Sequence, residues 1–317
     1  MQFRIMLLII AVGWSPSLAD EKEFAPKAID APPFKYTLLR KYRLRLHYRV
    51  TAPNTPIQRV VATGAVPIEW PEQKVRLIEE KKSRSLRIRE SRIKGQGGFM
   101  TFQAAGIRAG GYVEVDRLYE LARYKVSFVG DPNTLKIAKK TPRTLRDFLR
   151  PAPGVETTSK RIKSLASDFK IEANDAWQSV RTVQQWIPSN IRYQQGLYRG
   201  AVATLQQETG DCEDMTALFV AICRIKGIPA RTVWIEGHAY PEFYLEDDEG
   251  GHWIPTQLAG ADSFGEIAED RLILQKGDRF YDPLRKKYGH YLPHSVQAVG
   301  GAPKLHMTRE MLPAESK

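Results

Sequence analysis

Cysteine is nearly missing from this chain: Cys212 and Cys223 are its only two among 317 residues. That leaves room for one disulfide at most and excludes a disulfide-dense scaffold. Long apolar runs are scarce as well, and beyond residue 19 no segment is apolar enough to span a bilayer. Extreme composition is also lacking. With 42% apolar and 26% charged residues the chain matches a folded globular protein and fits neither a disordered tail nor a membrane bundle. Its length holds one large domain or two ordinary ones.

The start of the chain has the order of a secretory leader. Arg4 precedes an apolar run from Ile5 to Trp14, then Pro16 and a small-residue ending with Ser17 and Ala19. The expectation is a signal peptide over 1–19, export to the periplasm or the exterior, and a mature chain from Asp20 without a transmembrane segment. No cysteine follows the cleavage position, so lipid attachment there is not indicated.

In an exported protein disulfides persist, so each cysteine needs a reason. Met215, Leu218, Phe219, Ile222 and Ile225 follow the three-and-four spacing of one buried helix face, and Gly227 with Pro229 supplies a stop. Gly210 and Asp211 supply the turn and the cap, which puts Cys212 in the first helical turn. Eleven residues of helix separate the two sulfurs by roughly 16 Å, too far for a disulfide. Cys223 reads as a packed core residue. At a helix start the dipole lowers a thiol pKa, whereas Glu213 and Asp214 oppose that shift, so its net sign stays open.

Downstream, "IPARTVWI", "EGHAYPEFYL" and "HWIPTQ" alternate as strands. A turn about Asp247 and Asp248 would set Gln257 opposite His238, and a bulge at Gly250 and Gly251 would shift that by one. Glu242 and the run "EDDEG" read as a solvated edge and turn. His290 and His294 have the separation of a helical metal pair, but Pro293 between them spoils the geometry. No metal or cofactor is assigned.

The cysteine helix, the "GIPAR" turn, "HAYPEFYL" and "HWIPTQ", in this order, resemble the transglutaminase-like cysteine enzyme superfamily. The resemblance runs from about Thr182 to about Phe280, roughly a third of the chain. It implies Cys212 as nucleophile and His238 as its base. The third position, aspartate in most of the family, falls on Gln257, with Asp262 in "ADSFG" as the rival, and Tyr240 stands where a tryptophan is usual. An amide at Gln257 would accept the imidazole Nδ1–H but bring no charge. The implied chemistry is acyl transfer through a thioester, with the Cys212 backbone N–H as oxyanion donor and Gln206 or Gln207 as side-chain candidates.

The N-terminal half reads differently. Repeated period-two alternation from "YRLRLHYRV" to "YELARYKVSFVG" predicts an antiparallel sandwich. Residues 1–150 carry 29 Lys and Arg against 14 Asp and Glu, whereas the remainder carries 19 against 22. The basic half suits an anionic envelope polymer, or simply a solvated sheet face; nucleic acid is not expected as a partner of an exported chain. The expected organisation is α+β: a basic β-sandwich at 20–150, a linker at 151–158, a papain-like, transglutaminase-like domain at 159–300 and a flexible tail at 301–317. The expected function is cysteine-dependent amide chemistry, by a peptidase, amidase or acyltransferase, on a protein or peptide. The alternative is a non-catalytic envelope or binding protein that keeps the fold.

Overall fold

The computed structural model describes residues 28–172 and 175–314; the leader expected at 1–19 lies outside the described residues. Seven strands open the fold: β1 (Ala28–Ala31), β2 (Phe34–Thr51), β3 (Ile57–Val66), β4 (Gln73–Lys82), β5 (Arg87–Ile93), β6 (Gly97–Ile107) and β7 (Tyr112–Phe128). One antiparallel sheet is built on the β2–β7 pair, with β1 and β4 added to it, and a second on β3, β6 and β5. The alternation of β2 is the physical cause. Tyr42, Leu44, Leu46, Tyr48 and Val50 all face inward and are at most 3% exposed, where they meet Ala62, Met100 and Phe102 of the facing sheet. Gly64 is required at this contact, because an added Cβ would sit 2.4 Å from the Tyr48 ring.

The second half is mixed. Helices α1 (Lys160–Asp168) and α2 (Ala176–Asn190) are followed by β8 (Arg192–Tyr193), α3 (Ala201–Gln207), β9 (Thr209–Gly210) and α4 (Cys212–Ile225). Then come β10 (Ala230–Ile235), β11 (His238–Glu246), β12 (Gly251–Pro255), β13 (Glu266–Ile267) and β14 (Ile273–Lys276). Strands β12, β11, β10 and β14 form a sheet in that order, against which α4 packs Leu218, Phe219 and Ile222, each fully buried. This is the expected α+β architecture: an antiparallel sandwich and a mixed unit whose cysteine helix lies on a sheet.

Several local expectations are corrected. After β15 (Phe280–Asp282) and β16 (Lys287–Gly289) the chain returns to the sandwich, where β17 (Ser295–Gly300) pairs with β3 and β18 (Lys304–Pro313) pairs with β2. The residues read as a tail are therefore largely strand. Leu305 and Met307 pack against the sandwich core, and the polar residues between them mask this short alternation. Within 151–158, Val155 is fully buried in the core of the second half, so that stretch is not merely a solvated connector. Glu242 is not a solvated edge either. It is 3% exposed and accepts from Arg231 Nε at 2.7 Å and Lys276 Nζ at 2.6 Å.

Lys276 also donates to Glu72 Oε1 at 2.5 Å, which makes a buried charged joint between the sandwich and the β10–β11 sheet. Arg123 of β7 makes a second joint. It is fully buried, and its guanidinium donates to the carbonyls of Glu72, Arg271 and Glu269 at 2.6, 2.7 and 2.9 Å. Through these bonds the sandwich holds the segment at 269–271, which borders the site. Among the described residues no helix is long and apolar enough to cross a membrane.

Candidate active site

Helix α4 begins as its sequence dictates. The Asp211 side chain caps it by accepting from the N–H groups of Glu213 and Asp214 at 3.0 and 3.1 Å. The helix ends by Gly227, whose φ of 78° is a left-handed conformation that favours glycine. Cys212 is its first residue and is 9% exposed. Since Asp211 serves the next two N–H groups, the Cys212 N–H has no intramolecular acceptor among the described residues. The two cysteines are free. Cys223 is fully enclosed, and burial pushes its thiol far up.

The electrostatic question left open by the sequence has an answer. Burial is the main cause that raises the Cys212 thiol above its ordinary value, with Asp211 and Glu213 adding to it. The backbone N–H groups of Ala239 and Glu213 act in the opposite sense. Ala239 directly follows His238, so β11 brings the histidine segment up to the helix start. Burial also lowers the His238 pKa, while Gln257 and Glu269 partly restore it. Both shifts favour the uncharged forms, a thiol and a neutral imidazole.

His238 Nε2 lies 3.2 Å from Gln257 Oε1. The carboxamide oxygen is an acceptor, so this contact suits the tautomer with its proton on Nε2. The contact falls at Nε2 rather than at the expected Nδ1. The expected strand register is corrected too. Glu242 pairs with Pro255 and Glu246 with Gly251, two residues out of step with a His238–Gln257 pairing, because the turn is centred nearer Asp248 and Glu249. Gln257 instead lies past the end of β12. Its backbone N–H donates to Ser263 O at 2.8 Å, and its carbonyl accepts from Gln184 Nε2 at 2.8 Å.

Asp262 is placed elsewhere. It accepts from Arg181 at 2.6 Å and from Gln184 Nε2 at 3.2 Å, which braces the loop that carries Gln257. Gln206 is exposed, and the Gln207 side-chain Oε1 accepts from Arg199 Nη1. Two neighbours were missed in the sequence. Glu269 Oε1 stands 4.0 Å from His238 Nε2, while its other oxygen accepts from Arg271 Nε at 3.0 Å. Nothing in the spacing around "AEDR" marks it, because Arg123 of the sandwich fixes its position. Tyr193 pairs with Gly210, two residues ahead of Cys212, and is 56% exposed. Burial chiefly raises its hydroxyl pKa, with Cys212 and Asp211 contributing. Among the described residues no group of three His, Cys, Asp or Glu side chains could hold a metal.

The arrangement steadies the His238 ring at Nε2 and leaves a backbone donor at the start of the cysteine helix. The family described as "Transglutaminase-like superfamily" matches residues 163–258, a span that contains Cys212, His238 and Gln257. A solved structure of a candidate cysteine protease from Cytophaga hutchinsonii superposes with a TM-score of 0.54, at 16% identity, over 89% of this chain and 94% of that one. A candidate protease from Parabacteroides distasonis gives a TM-score of 0.25 at 13% identity, over 68% of this chain and 46% of that one. No curated protein matches the chain. By that match, residues 163–258 are similar to the transglutaminase-like superfamily.

Proposed function

We propose that the protein is a thiol-dependent acyl-transfer enzyme acting on amide bonds of proteins or peptides, with Cys212 as nucleophile and His238 as base. The observation that carries this reading is the bond from His238 Nε2–H to Gln257 Oε1 at 3.2 Å, since it leaves Nδ1 as a base beside the helix start. In the reaction, Nδ1 takes the Sγ proton as sulfur attacks the carbonyl carbon, and the Cys212 N–H receives the oxyanion. The tetrahedral species collapses as Nδ1 returns that proton to the leaving amine, which leaves a thioester. Water or an amine then attacks the thioester, releases the product and regenerates the thiol.

Gln257 orients the ring without charge, and the Glu269 carboxylate, 4.0 Å away, favours the transient imidazolium. Export rests on the leader-like residues 1–19 and belongs to this proposal, as does an anionic envelope polymer as partner of the basic half. The test is the chain incubated with dimethylated casein and a biotinylated primary amine. New casein N-termini report hydrolysis, biotin on casein reports transfer, and Cys212→Ala removes both. Equal activity in Cys212→Ala would overturn the reading. A wild-type chain with neither activity, and with Cys212 no more reactive than an ordinary buried thiol, would support the non-catalytic alternative.

A further inference from the structure

A cavity of about 370 Å³ lies between the sandwich and the catalytic sheet, in the size range of small-ligand sites. Leu44, Leu46 and Val66 form its sandwich wall, and Trp234, Leu272 and Leu274 form the wall opposite. Glu213 and Gly237, the sequence neighbours of Cys212 and His238, also line it. One end of the cavity therefore lies at the residues that flank Cys212 and His238 in sequence. Its lining departs from an apolar one at Arg309, which also faces it.

Arg309 pairs with Leu46 across β18 and β2. Leu305, Met307 and Arg309 alternate as half-buried positions of a strand whose intervening residues are exposed, so the guanidinium lies on the core face, where an apolar side chain is the norm. Among the described residues it has no hydrogen-bond or carboxylate partner. The other titratable groups on the cavity are His294, Tyr48, Tyr291 and Glu213. Burial and the charges of Arg285 and Arg309 lower the His294 pKa, so that ring is neutral. Glu213 is raised to about 6, first by burial and then by Asp211, so it is mostly anionic at neutral pH. Its carboxylate faces the Tyr291 hydroxyl at 3.4 Å rather than Arg309. One cavity thus carries an unpaired cation and, apart from it, an anion beside the nucleophile.

We propose that this cavity is a substrate subsite for a peptide segment with a bulky apolar side chain next to a carboxylate. The side chain fills the leucine-lined space. The carboxylate binds Arg309 and is kept from the Glu213 end by like charge, which gives the bound segment a direction relative to the thiol. The carboxylate is either the peptide's own C-terminus or an acidic side chain. This subsite rests on the reading of Cys212 and His238 as the reacting pair only for its role in turnover, not for binding itself.

The test is therefore binding, measured by calorimetry on the full chain with Cys212→Ala. The probes are N-acetyl-Gly-Gly-Leu-Phe with a free C-terminus, the same peptide as its C-terminal amide, and N-acetyl-Gly-Gly-Phe-Asp amide. At least one of the two carboxylate peptides is expected to bind ten times or more tighter than the neutral amide, and which one does so identifies the source of the carboxylate. Arg309→Met, on an edge strand where folding is not at risk, should erase that difference. Ala65→Phe, which fills the cavity, should abolish binding with the melting transition retained. Equal binding of acid and amide, unchanged discrimination in Arg309→Met, or no binding at all would overturn the proposal. Binding by a protein whose unsubstituted form shows no casein chemistry would keep the subsite and remove the catalytic reading.

Discussion

Gln257 and Glu269 approach the same nitrogen of His238 from different parts of the chain, one as a neutral acceptor at 3.2 Å and one as a carboxylate at 4.0 Å. Their variants should separate orientation from charge. Gln257→Ala is expected to slow kcat/KM by more than tenfold, at least about 1.4 kcal/mol in the barrier, and Gln257→Asn by less, because an acceptor remains. Glu269→Gln should lower the His238 pKa, since the carboxylate raises it, and Gln257→Asp should offset that loss. Asp262→Ala should be mild, because Asp262 serves Arg181 and Gln184. A severe Asp262→Ala with an indifferent Gln257→Ala would reverse these assignments. The cysteine, the histidine and the glutamine were legible because each sits inside a local motif. Glu269 was not, since a buried arginine more than a hundred residues earlier fixes where it lies.

Helix α4 joins stability to reactivity through its cap. Asp211→Ala removes the acceptor for two backbone N–H groups and should cost about 1 kcal/mol in denaturant unfolding. The same change removes a negative charge that raises the Cys212 pKa, so the pH profile of Cys212 alkylation by iodoacetamide should move to lower pH. A stability loss with an unmoved profile would show that the electrostatic account of the thiol is wrong. The helix also separates the two sulfurs. Non-reducing mass spectrometry of the unfolded chain should find two free thiols, with only Cys212 alkylated before unfolding; an intramolecular bridge would contradict the helix. The span and cap of α4 were readable from spacing and from Gly227. The β11–β12 register was not, because a polar turn of several similar residues carries no signal for where it is centred.

At the scale of the whole molecule, the sandwich and the β10–β11 sheet meet through buried charge. Burial alone would raise the Glu72 carboxyl, but Lys276, then Arg123, hold it below the usual range. A depressed carboxyl contributes stability above its unfolded pKa and loses it as pH falls through the folded value. Lys276→Met leaves Glu72 and Glu242 without that cation and should cost about 3–5 kcal/mol at neutral pH, with the deficit shrinking as the medium is acidified into the carboxylate range. A deficit independent of pH would mean that the joint acts by packing alone. None of this joint was visible in the sequence. Glu242 and Lys276 lie on strands whose alternation reads equally well with Glu242 solvated, Glu72 lies in the turn before β4, and only the approach of a second sheet buries them. The return of β17 and β18 to the sandwich escaped for a related reason, since an edge strand with one packed face offers few apolar positions.

The central claim, that His238 makes Cys212 an acyl-accepting nucleophile, is tested most directly by covalent capture. The folded chain is mixed briefly with p-nitrophenyl acetate, quenched in acid and mapped by peptide mass spectrometry. The account predicts an acetyl thioester on Cys212, absent from Cys223, whose formation drops sharply in His238→Ala while that variant keeps its melting transition. Acetylation of Cys212 at the same rate with and without the imidazole would contradict it.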